Sequence, residues 1–227
     1  MNLKRRKKKS LAQQSKQILI LMTVILVIIV GGCTYVLNKT SGQIYGQMSQ
    51  MAQLYAQELD NRFLRISRNL FSTIMDTNET NSTFWGNVNL MKNGDYTEYA
   101  IGKLREEYFS SAWEYGTEYR IFLYTHETDK LYQLSLSSDG NYTMSSDVAA
   151  SIREQIDKLD EKTYAVKRKW DVLECDNEVY ICKIAQKNGI ALGCIVNVKS
   201  ILEPFSKLSL GKHGYVSLVD QDEVCIG

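Results

Sequence analysis

Three features of the 227-residue sequence predict an α+β chain built on a long N-terminal helix. Residues 18–37 run twenty positions without a charge, apolar side chains then recur at threes and fours from Ile44 to Ile74, and strand and helix patterns alternate beyond residue 75. Read in order, the parts are long helix, helix, two strands, helix, three strands. Five antiparallel strands with helices on one or both faces make a layered α+β fold.

The uncharged run comes first because it fixes the organisation. Twenty helical residues span about 30 Å, the thickness of a bilayer's hydrocarbon core. Lys4, Arg5, Arg6, Lys7, Lys8, Lys9 and Lys16 precede it, and only Lys39 follows closely. This bias makes residues 1–17 a cytoplasmic basic tail, residues 18–37 a transmembrane helix, and everything later extracellular. A membrane span beside the basic run accounts for its charge better than a nucleic-acid arm does. Against a cleaved secretory peptide stand an apolar core longer than about 15 residues and the lack of a small-residue cleavage site. Val30, Gly31, Gly32 and Cys33 look like a bacterial lipobox. The apolar Tyr35, Val36 and Leu37 that follow suit a bilayer better than the start of a lipidated chain, so a lipid-anchored or single-span extracellular binding protein is the alternative.

Residues 40–227 carry 19 basic and 26 acidic side chains, a formal −7. Such an acidic surface does not suggest a polyanion partner, and no nucleic acid is expected. One proline and 14 tyrosines fit a packed domain rather than a disordered tail.

Within the long helix, residues 38–75 read as a stalk. Ile44, Met48, Met51, Tyr55, Leu59, Phe63, Ile66, Leu70 and Ile74 form a single stripe. The stripe packs on its own domain, and its membrane-proximal half pairs with a second copy as a coiled coil, giving a homodimer. Residues 76–96 are polar and Asn-rich and predict a loop. Residues 96–115 predict a helix with Leu104, Tyr108 and Trp113 inside. Residues 119–125 and 131–137 predict a hairpin around a turn at 126–130. Residues 147–159 place Val148, Ile152, Ile156 and Leu159 on one helical face, with Asp147 as N-cap. Three strands follow, in 164–174, 178–186 and 190–198, with turns at Asp176-Asn177 and at residues 187–189. Residues 198–208 return to helix. The domain is therefore bounded at 76–208, and residues 209–227 start a second module or a closing hairpin that the sequence breaks off, as a fragment would.

Cys33 lies in the span, leaving Cys175, Cys182, Cys194 and Cys225. No CxxC occurs and His126 and His213 are far apart, so no metal site is expected. A three-residue loop at 187–189 sets Cys182 opposite Cys194 as a possible disulfide. One residue of register shift instead leaves two buried free thiols.

Catalytic motifs are lacking. Two histidines in no motif context exclude a hydrolytic triad. Asp220-Gln221-Asp222 after an apolar strand looks like the D-x-D metal and nucleotide-sugar site of glycosyltransferases, and Asn38, Asn78, Asn81 and Asn141 begin N-x-S/T sequons. Aspartates also make ordinary turns, and no parallel β-α-β repeat accompanies them. A single-span glycosyltransferase is thus the weakest alternative, and no cofactor is implied.

The order of parts resembles the extracellular Cache, or PAS-like, sensor region of bacterial membrane receptors. Gly189 and Gly193, then Gly214, Tyr215, Leu218, Val219 and Asp220, match that group's "G-x-x-x-G-x-V" strand and "G-Y-x-x-L-V-D" strand. The turn after Asp220 departs from it, since Gln221, Asp222 and Glu223 stand where a glycine is usual. The resemblance covers about residues 17–227 and is nearest to sensor histidine kinases of two-component systems. It implies an extracellular ligand-sensing input region for signal transduction, with a small molecule or an extracellular binding protein as partner. The kinase catalytic part would lie beyond residue 227. Tyr164, Arg168 and Trp170 resemble part of the Tyr, Arg-x-Trp and Asp set with which members clasp an amino acid. Their spacing departs by one residue and Asp171 replaces an aromatic, and the alternative is that Trp170 is simply core and Arg168 solvated on a strand face. By strand alternation Arg120, Phe122 and Tyr124 share one face and Tyr119, Ile121 and Leu123 the other, and Tyr124 joins Tyr164, Arg168 and Trp170 as the candidate ligand-binding set.

Overall fold

The computed structural model describes residues 11–76, 82–92, 94, 96–116, 118–136, 140, 142–159, 169–206 and 217–218. The chain forms two compact units, residues 1–51 and 52–227. Helix α1 (Leu11–Met75) is a single element of 65 residues that belongs to both.

In the first unit the apolar stretch is exposed along its length, and α1 is long and apolar enough to cross a membrane. Thr23 and Thr34 donate their hydroxyls back to the carbonyls of Leu19 and Val30, the usual i−4 bond of a helical threonine.

The second unit is an α+β layer structure. Besides the end of α1 it holds α2 (Thr83–Lys92), α3 (Thr97–Tyr115), β1 (Tyr119–Thr125), β2 (Lys130–Gln133), α4 (Ser146–Asp157), β3 (Asp171–Cys175), β4 (Glu178–Lys187), β5 (Ile190–Asn197) and α5 (Val198–Ser206). The five strands form one antiparallel sheet in the order β2-β1-β5-β4-β3. Its centre is β5, buried from Ile190 to Val196, which is why that strand reads as a continuous apolar run rather than an alternating one.

The elements expected from periodicity are present, and the differences have local causes. Residues 83–92, expected as loop, form α2. Phe84, Trp85, Val88 and Met91 recur at helical spacing and are buried, and their packing overrides the weak propensity of Asn and Gly. Ser145, not Asp147, caps α4: its hydroxyl accepts from the amide of Val148. Strand β2 stops at Gln133 because Ser135 supplies the next bond from its side chain, the Ile121 amide donating to Ser135 Oγ at 2.7 Å. The side chain of Trp113 and the expected strand over 214–220, Ser217 and Leu218 excepted, lie outside the described residues.

The turns decide the register. Asn188 and Gly189 both have positive φ (53° and 72°), as do Asp176 and Asn177 (54° and 60°), so both hairpins close through two-residue loops of the left-handed kind. Lys187 therefore pairs with Ile190, and the expected three-residue loop is corrected by one position. Cys182 faces Ile195 and Cys194 faces Lys183, which puts the two sulfurs on opposite sides of the sheet. Both are buried free thiols, as is Cys175, and the possible disulfide falls. Burial also pushes the Cys194 thiol well above its ordinary pKa, so it stays protonated and unreactive.

Candidate ligand-binding site

The sheet separates two cores. On one face Tyr119, Ile121, Leu123, Ile181, Ala185 and Cys194 pack against Ile66, Leu70 and Ile74 of α1 and against α2 and α3. On the other, Phe122, Tyr124, Cys182, Ile184, Ala191 and Ile195 pack beneath Val148, Ile152 and Ile156 of α4. The alternation expected for β1 is the one observed.

Of the candidate ligand set, Tyr124 is on the α4 face. Its hydroxyl donates to Asp129 Oδ1 at 3.0 Å, and its ring stands edge-on to His126 at 4.9 Å. Burial, then the bond to the Asp129 carboxylate, pushes its pKa up to about 12, so it acts as a donor. Trp170 is on the other side. Its ring lies 4.7 Å from Phe63 of α1, within the α1-face core. The reason is parity: Asp171 pairs with Cys182 and shares its α4 face, so the residue before it points away. Tyr124 and Trp170 thus do not belong to one pocket. Tyr164 and Arg168 lie outside the described residues.

The α4 face does gather polar groups around an apolar floor. Arg120, Ile195, Cys182 and Asp171 lie in one row across four paired strands. Three strand spacings put the Arg120 and Asp171 backbones about 14 Å apart, a gap two extended side chains can close on a small molecule. Beside that row, Phe122, Gly193 and Ile184 form the next. A Cβ on Gly193 would collide with the Phe122 ring and come within 2.8 Å of the Lys183 carbonyl, so the glycine is what lets Phe122 lie across the sheet. Tyr180 closes the lower end: its hydroxyl and the Asn197 amide both donate to Glu178 Oε2 at 2.7 Å. Arg120 pairs with Ile195 and Tyr180 with Asn197, two positions along β5, so the two share one face at the same end of the sheet. A cation and a carboxylate at the two ends of one row over an apolar floor are a pair that can orient a small dipolar molecule. They offer no nucleophile with a base beside it.

The α1 face has a groove of about 390 Å³ between β4 and α5, lined by Val179, Val198, Lys199, Leu202, Glu203 and Ser206. Deeper on that face, Lys183 is buried with its ammonium donating to the Lys169 carbonyl at 3.3 Å. Burial lowers its pKa and the nearby Asp171 pulls it partly back. Arg62 ties α1 to the approach to β1, donating to the Tyr115 carbonyl at 3.0 Å and pairing with Glu58 and Glu118. No group of His, Cys, Asp and Glu among the described residues could hold a metal ion.

Sequence reasoning passed over Asp171 as a departure from a motif and Arg120 as a face marker. The two-residue Asn-Gly turn was the signal that aligns them, because it fixes β4 against β5 and hence the row. Comparison with protein-family models, with curated proteins and with solved structures returns no match.

Proposed function

We propose that the chain is the extracellular ligand-sensing input region of a membrane-bound signal-transduction receptor of the Cache-like, PAS-like kind, in the manner of a two-component sensor histidine kinase. The observation that carries this reading is α1: one helix bears both the span-length apolar run and, from Ile66 to Ile74, part of the core of the α+β unit. A change in packing on the sheet is therefore a change in the environment of a helix that leads to the membrane. The α4 face holds the ligand, with Arg120 and Asp171 at its two ends and Tyr124 as a further donor. The preferred ligand is small and dipolar.

The test uses the full chain in right-side-out vesicles. A cysteine placed at the exposed Tyr96 reacts with a membrane-impermeant maleimide, and a library of small zwitterions and carboxylates yields one that raises the melting temperature. Arg120→Ala removes that shift while the fold persists. A labelling site accessible only from the cytoplasmic side sinks the input reading outright.

A further inference from the structure

Helix α1 grips the start of β1 through one side chain, and β1 carries Arg120 on its other face. Arg62 stands on α1 where α3 gives way to β1, and its guanidinium serves three acceptors. Nη1 donates to the Tyr115 carbonyl at 3.0 Å and to Glu118 Oε1 at 3.4 Å, while Nε donates to Glu58 Oε1 of its own helix at 3.1 Å. The joint is shaped to receive it. Gly116, between the two outer acceptors, has φ 108°, and a Cβ there would run into the Glu118 carboxylate that folds back over it. The Tyr119 amide donates to the Gly116 carbonyl at 3.3 Å, so residues 116–119 close a tight turn. Two further contacts bind the same place to α1: Asn69 Nδ2 donates to the Tyr115 hydroxyl at 3.4 Å, and the Phe63 ring meets the Tyr119 ring edge-on at 6.2 Å.

We infer that Arg62 is a positioning residue for the ligand face, a clamp through which α1 sets the place of Arg120 and through which a molecule held by Arg120 acts on α1. This rests on the ligand-sensing role proposed for Arg120. Arg120 is the second residue of its strand, paired with Ile195 of β5 on one side, whereas β2 pairs no earlier than Phe122 on the other. On that thinner side the chain after β2 supplies single bonds, from the Leu134 amide to the Ile121 carbonyl at 2.8 Å and from the Ser135 hydroxyl to the Tyr119 carbonyl at 3.2 Å. The end of the strand therefore depends on what holds the turn before it, and that is Arg62. Its two outer arms reach Tyr115 and Glu118, on either side of Gly116, so the turn cannot open without breaking one of them. Coupling of this kind runs both ways: a displacement of Arg120 is felt at α1, and a displacement of α1 is felt at Arg120.

The experiment is hydrogen exchange, read by mass spectrometry on the full chain in lipid nanodiscs without any ligand. Arg62→Gln is expected to speed exchange over residues 118–122 by about three- to tenfold, the factor that one lost hydrogen bond gives to a local opening, with α4 and β4 unchanged. Arg62→Lys, whose ammonium can still serve the Tyr115 carbonyl, restores most of that protection. Phenylglyoxal then reports the side chain itself: Arg120 reacts faster relative to Arg153 in Arg62→Gln, and Arg62→Lys brings the ratio back. Glu118→Gln removes the charge from one arm only and gives a smaller rise over the same residues, which keeps the test available if Arg62→Gln does not fold. Unchanged exchange over 118–122 overturns the clamp, as does a rise shared equally by α4 and β4, or an Arg120 reactivity unmoved by Arg62→Gln. The ligand-induced melting shift of the wild-type chain is a separate reading. Its absence sinks the sensing role and leaves the exchange result standing, whereas a clamp that fails leaves the shift intact.

Discussion

The two faces of the sheet are built to different standards. Among the described residues the α1 face joins twenty-four buried apolar residues, drawn mainly from four helices and three strands, whereas the α4 face joins twelve, mainly under one helix. The first is a thick core that includes two buried aromatics side by side, Phe84 and Trp85, at 5.5 Å. The second is a thin layer with Arg120, Asp171 and Gln133 set into it. The lesson concerns division of labour: bulk stability comes from the face that holds α1, and the thinner face has less packing to lose when it rearranges.

Equivalent truncations test this directly. Leu70→Ala on the α1 face should cost about 4 kcal/mol and Ile152→Ala on the α4 face about 2–3, since the looser layer collapses more readily into the space left. Urea unfolding measures both, and equal losses would erase the distinction. Next in size is Gly193→Ala, which forces Phe122 off the sheet and should cost about 2 kcal/mol. Combined with Phe122→Ala it should cost less than the sum of the two single changes, because the clash with the ring goes and only the close approach to the Lys183 carbonyl remains.

Smaller still is a pH effect on the α1 face. The folded-state pKa of Lys183 lies below its unfolded value, so the unfolded chain binds more protons between the two. The penalty is full below the folded pKa and lifts as pH rises toward the ordinary lysine value. Wild-type stability should therefore gain on Lys183→Met as pH rises toward the ordinary lysine pKa of about 10.4, and parallel pH profiles for the two would show that Lys183 is charged at no cost. The least effect belongs to Asp176, whose carboxyl is held above its usual range by its hydrogen bond and repulsion with Asp147. A raised carboxyl pKa means stability is best when the group is protonated and falls as pH rises through that pKa. Asp176→Asn, which keeps a residue tolerant of positive φ, should abolish that fall in a melting series from pH 3.5 to 7.

How far these contrasts were legible beforehand follows from the physics of each signal. Long, strongly periodic segments announced themselves: α1, α3, α4 and the three apolar strands were readable because burial repeats at the period of the backbone. Helix α2 was hidden by its own composition, since its ten residues include asparagines and a glycine and only its four buried apolar side chains reveal it. Strand alternation gave the faces of β1 correctly. Which of the two cores takes Trp170 could not be read without the β3 register, while the reading of Trp170 as a core residue is the one observed. The cysteine pairing failed for a smaller reason, one residue in a loop.

That residue has a further consequence. Because β5 lies at the middle of the sheet with both faces buried, the tight Asn188-Gly189 loop sets the parity of the whole domain. Lengthening it by a single amino acid would exchange the two linings of β5, carrying Cys194 and Leu192 toward α4 and taking Gly193 out from under Phe122. Drift in chain length must therefore be absorbed elsewhere, and this loop should stay at two residues in any descendant sequence that keeps the fold.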